Sequence, residues 1–133
     1  MKTFLAILVG TLVGLLVQAG TDIVTQAAYP AAITDVWDLN QISQAYAARP
    51  AGALLLSLLS FFLAGLAGAA TGRLIGRTNA SAWIPAGVIA LEALLLALNF
   101  PIPAWTGFAT IAGALFGGLA GNHLAGAREI RAR

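Results

Sequence analysis

The chain has no cysteine, a single histidine and, in 133 residues, only 7 basic and 5 acidic side chains. Without cysteine there is no disulfide framework, no thiolate metal site and no cysteine nucleophile. His123 alone falls short of the three or four ligands a zinc site needs, and no carboxylate cluster lies beside it in sequence. Neither a metal nor another cofactor is expected. A Ser-His-Asp triad would have to join His123 to Asp22, Asp35 or Asp38, which the topology below places across the membrane from it. The stretch from Gly72 to Thr78 lacks the spacing and the lysine of a phosphate-binding loop. No catalytic motif remains, and the chain is read as a non-enzyme. Charged residues make up 9% of the sequence, against about 25% in a soluble domain, which excludes an ordinary soluble fold. The small basic excess sits at the ends of apolar runs, so it reports topology rather than nucleic-acid binding.

What is present is apolar and small: 59% hydrophobic residues, 15 glycines and a mean hydropathy of +0.87. A membrane-crossing helix needs about 20 mainly apolar residues, and four segments supply them, at about residues 3–24, 50–72, 81–100 and 104–125. Pro50 suits the first turn of the second span, where its missing N–H costs nothing. Pro101 and Pro103 stop the third. The expected fold is all-α, a single membrane domain over residues 1–133 forming a four-transmembrane-helix bundle, because open strands would leave backbone groups unpaired in lipid. Lys2, Arg73, Arg77, Arg128, Arg131 and Arg133 fall on one side of such a bundle and Arg49 alone on the other. The positive-inside rule then makes both termini cytoplasmic in a bacterial inner membrane, with loop 25–49 outside. Lys2, the apolar run and Val17-Gln18-Ala19 also resemble a secretory signal peptide; the segment is read as an uncleaved spanning anchor. In the outer loop Val36, Leu39, Ile42 and Tyr46 recur at helical spacing, so a short amphipathic helix is expected there, capped by Thr34 or Asp35 and lying on the membrane or folded over the bundle mouth.

Glu92 stands nine residues after Trp83 and eight before Phe100, close to the bilayer midplane, where a charged carboxylate costs at least about 2.5 kcal/mol. It is expected to face the bundle interior, neutral and donating a hydrogen bond. Counting depth across the hairpin brings Ser57 and Ser60 to its level, and the first span, running parallel to the third, brings Thr11 and Gln18 near it, with Asn99 two turns on along the same face. Such a group is either an interhelical clamp, worth about 0.6–2 kcal/mol, or an ion or proton site.

Small residues recur every four positions: Ala64, Gly68, Gly72 and Gly76 on the second span, and Ala109, Gly113, Gly117, Gly121 and Ala125 on the fourth. Gly10 and Gly14 add a third ridge. Such ridges let backbones approach closely, a main source of helix association in lipid. Three of them in four helices suggest a homo-oligomer or a place in a larger membrane complex, besides contact with the lipid bilayer; no nucleic-acid partner is expected. Arg73, Arg77 and Arg128 are candidates for anionic lipid headgroups.

The order of an apolar helix ending at Tyr29-Pro30, an acidic loop ending in Arg49-Pro50-Ala51-Gly52, a glycine-rich helix closing at Arg73 and the turn Asn99-Phe100-Pro101-Ile102-Pro103-Ala104-Trp105 resembles a family of small four-helix bacterial integral membrane proteins. The resemblance implies a bacterial inner membrane and no particular activity. The expected function is therefore a non-enzymatic oligomeric or accessory subunit acting through helix packing. The alternative is a small proton- or cation-coupled transporter or channel using Glu92.

Overall fold

The computed structural model describes residues 1–35 and 37–131 and contains, among them, five helices and no strand. They are α1 (Lys2–Ala28), α2 (Leu39–Ala47), α3 (Ala51–Gly76), α4 (Asn79–Asn99) and α5 (Ala104–Arg131). All but α2 are long and apolar enough to cross a membrane. The chain is thus a multi-pass membrane protein, and four crossings return both termini to one end of the bundle, with α2 at the other. Leucines, isoleucines and phenylalanines such as Leu12, Leu16, Leu55, Leu98 and Phe116 are more than half exposed, as expected where lipid tails replace water around a bundle.

Side-chain size sets the packing order. α3 touches α1, α4 and α5; α4 also touches α1 and α5; α1 and α5 occupy opposite corners without packing on each other. The core along this short diagonal is built mainly of alanine and glycine with two large residues, the fully buried Ile89 and the nearly buried Phe61. A Cβ on Gly10 would lie 2.7 Å from the Gly68 carbonyl, and one on Gly14 3.0 Å from that of Ala64. On the α3–α5 seam a Cβ on Gly117 or Gly121 would run into the carbonyls of Phe62 and Leu66. The small-residue ridges are therefore filled by helices of the same chain.

The α3–α4 connection is tight. Arg77 closes α3 in the left-handed conformation (φ 55°), its N–H donating to the Arg73 carbonyl at 2.8 Å. Thr78 then caps α4 with a reciprocal Thr78–Ser81 box. Pro85 inside α4 removes the N–H that would have bonded to the Ser81 carbonyl four residues back. Gly72 of α3 lies against that freed carbonyl so closely that no Cβ would fit, a place for a Cα–H···O contact.

The amphipathic helix in the outer loop is present but starts later than expected. Its cap is Asp38, whose carboxylate accepts from the N–H groups of Asn40 (2.9 Å) and Gln41 (3.4 Å), rather than Thr34 or Asp35. Asp35 instead accepts from Trp37 N–H at 2.9 Å, forming a turn before the helix, and Thr34 is engaged by Gln41. Val36 and Arg133 lie outside the described residues.

Candidate functional site

Polar side chains gather in the half of the bundle nearest α2. Gln18 of α1 is 4% exposed, and its Nε2 donates to Glu92 Oε1 at 3.0 Å. Glu92 accepts in this bond, opposite in sense to the expectation. Its Oε2 and the Gln18 Oε1 are buried with no hydrogen-bond partner among the described residues. One turn further along α1, Thr21 shares a short hydrogen bond with Ser60 of α3 while donating to its own helix backbone.

Other members come from elements whose sequence did not announce them. Arg49, just before α3, turns inward and donates from Nη1 to Ser57 Oγ at 3.1 Å; Ser57 in turn donates to the Ala53 carbonyl at 3.0 Å. Its guanidinium lies 4.2 Å from the centre of the Tyr46 ring, a cation–π arrangement. Tyr46 stacks on Phe100 at 4.5 Å, fixing α2 to the end of α4. Burial, followed by the Arg49 charge acting in the opposite sense, holds the Tyr46 phenol above its ordinary 10.0. Asp22 and Arg49 border one cavity, and the hydrogen bond that Glu92 makes is to the neutral Gln18 amide.

Two spaces flank the Gln18–Glu92 pair. One is a groove of about 360 Å³ between α2 and α4, lined by Ser43, Glu92, Asn99 and Phe100 with three leucines. The other is a small, partly open cavity bordered by Gln18, Asp22, Arg49, Ser57, Thr106 and Thr110. Thr106, 2% exposed, has an Oγ1 without a partner among the described residues. Arg49 lines both this cavity and a larger outer groove of about 550 Å³ between α1, α2 and α3. Toward the terminal end the buried residues are mostly small, among them Ala6, Gly10, Ala69, Gly72, Ala82 and Ala86; the buried Ser81 hydroxyl is taken up by the α4 cap.

Comparison with protein-family models, curated protein sequences and solved structures finds no match. The site must be judged on its own geometry.

Of the residues expected at the Glu92 level, Gln18 bonds to it, and Asn99 lines the same groove with its Nδ2 donating to the Leu95 carbonyl at 2.7 Å. Ser57 and Ser60 belong to the same polar region but are engaged by Arg49 and Thr21. Thr11 lies two turns from Gln18 toward the termini, about 10 Å away along the axis, and is not brought to Glu92. The packing glycines Gly68, Gly72, Gly117 and Gly121 are buried against neighbouring helices, and Gly113 is half-buried beside Leu58. At the terminal end Arg73 donates to Asn79 Oδ1 at 2.6 Å, Arg77 is exposed, and Arg128 borders a groove between α3 and α5. The residues missed from sequence are Asp22, Arg49, Tyr46, Thr106 and Thr110. The available signal was the opposite charges of Asp22, six residues before the end of α1, and Arg49, two residues before the start of α3.

Proposed function

We propose that this is a small, non-enzymatic proton- or cation-coupled carrier of a bacterial inner membrane, with both termini cytoplasmic and α2 on the outer side. Glu92 is the group that exchanges its proton or cation. The observation that carries this reading is the Gln18–Glu92 bond, which leaves Glu92 Oε2 buried without a partner among the described residues beside the α2–α4 groove. A purely structural clamp would pair its acceptors, because an unmatched buried polar atom costs about 1–3 kcal/mol. Intramembrane ionisable groups that stay in such an arrangement are candidates for transported ions or protons. The α2–α4 groove gives Glu92 a way to the outer side, and the glycine-packed half is the barrier to the inner side. A carrier that alternates its access fits this asymmetry better than an open channel.

A subunit acting through its small-residue ridges has less support, because those ridges already hold the bundle together. The test is reconstitution of the full chain in proteoliposomes with an imposed proton or monovalent-cation gradient. Glu92→Gln keeps shape and hydrogen bonding, so it should abolish gradient-driven exchange in a protein that still folds. Exchange at the parent rate in Glu92→Gln would overturn the reading.

A further inference from the structure

We propose that the small cavity between α1 and α5 is a water site, in which about three ordered water molecules complete the hydrogen bonding of Gln18 and Thr106. This deepens the proposed function and for its functional meaning rests on it, since the water would hydrate the Gln18–Glu92 pair from the side opposite the α2–α4 groove.

Four observations lead here. The cavity lies between α1 and α5, the two spanning helices that do not pack on each other, so the fold leaves room on its axis at this level. It offers about 40 Å³ to the centres of water molecules, and each water needs roughly 10–15 Å³ of such space. Two of its wall residues, Gln18 and Thr106, are 4% and 2% exposed, and each has an oxygen without a protein partner among the described residues. The rest of the wall supplies what a buried water requires, two to four polar neighbours: the Arg49 guanidinium, the Ser57 and Thr110 hydroxyls and Asp22.

The donor and acceptor balance selects water over an ion. Gln18 Oε1 accepts only, Arg49 donates only, and a threonine hydroxyl does either. A bare cation would meet the fixed charge of Arg49, and a bare anion would meet Asp22 and the Gln18 carbonyl oxygen. Water can accept from Arg49 and donate to Gln18 at once.

Thr106→Val gives a test whose sign decides the matter. Valine has nearly the shape and helix propensity of threonine, and the Thr106 hydroxyl bonds to no protein atom among the described residues. If the cavity holds water, the substitution strips the water of a partner and lowers the melting temperature of the full chain in lipid nanodiscs, while Thr106→Ser keeps it. Magnetisation transfer from water to the Gln18 side-chain amide protons, measured by NMR, is present in the parent protein and is lost in Thr106→Val. If the cavity is dry, the same variant melts at or above the parent temperature because a buried unpaired hydroxyl has been removed. In that case the water-to-Gln18 transfer is absent in the parent protein; either result overturns the proposal. Replacing sodium by choline and chloride by gluconate should leave the melting temperature unchanged, and stabilisation specific to sodium or chloride would assign the cavity to that ion instead. Water in the cavity of a protein without Glu92-dependent exchange would remove the carrier reading and leave the water site standing. A dry cavity with intact exchange would do the reverse.

Discussion

Gly10 offers the sharpest energetic test of the packing. A Cβ there would sit 2.7 Å from the Gly68 carbonyl oxygen, 3.0 Å from Pro85 Cγ and 3.1 Å from Gly72 Cα, where ordinary contact begins at 3.4 Å. Two of these neighbours are backbone and the third is a proline ring, so none can rotate aside. Gly10→Ala must therefore push α1 away from α3 and α4 by about 0.7 Å, with an overpacking cost of about 1–3 kcal/mol. Gly20 on the same helix is the control, since a Cβ there meets nothing within 4 Å. Gly20→Ala should be neutral or stabilising by up to about 1 kcal/mol, from helix propensity alone. Because both variants add the same methyl to the same helix, the propensity gain cancels and their difference isolates the close contact, about 1–3 kcal/mol. Unfolding in mixed micelles titrated with dodecyl sulfate, followed by tryptophan fluorescence, measures it. Equal stability of the two variants would refute the close approach of α1 to the α3–α4 pair.

Gln18→Leu removes the amide that bonds to Glu92 and should destabilise the bundle by about 1–3 kcal/mol in the same titration, because the Glu92 carboxyl is left with no partner. Asp38→Ala removes the α2 cap and should cost about 0.5–2 kcal/mol of local stability, read as faster amide exchange across residues 39–47 with α1, α3, α4 and α5 unchanged. Since burial favours the neutral Tyr46 phenol, the stabilisation is fully present below the ordinary 10.0 and is lost as pH rises through the raised folded value. Ultraviolet titration should show a phenolate step above 10 that Tyr46→Phe removes, with release of α2 accompanying it in the parent protein.

The spans were legible because apolar run length, the Pro101–Pro103 stop and the basic residues at run ends are local signals, and lipid removes every architecture except helices and closed barrels. The Gln18–Glu92 pair was within reach of simple depth counting, since rise per residue is fixed and the connections after α3 and α4 are short. Arg49 was not. A basic residue at the end of a span reads as a topology marker, and the direction of its side chain depends on the Tyr46–Phe100 stack that brings α2 over the bundle. Nor does periodicity tell which helix fills a glycine ridge: Gly72 meets the Ser81 carbonyl because Pro85 frees it, a relation between two helices invisible in either one. The α2 cap was misplaced because Thr34, Asp35 and Asp38 all suit the role, and only backbone geometry separates the turn-former from the cap.

The proposed carrier requires Glu92 to be reachable from the α2 end and sealed from the terminal end. Because the chain contains no cysteine, Glu92→Cys and Thr11→Cys each report one position with no background. In right-side-out vesicles a small membrane-impermeant thiol reagent should label Glu92→Cys through the α2–α4 groove and leave Thr11→Cys untouched. Labelling of Glu92→Cys only from the face that carries the termini, or from neither face, would contradict it.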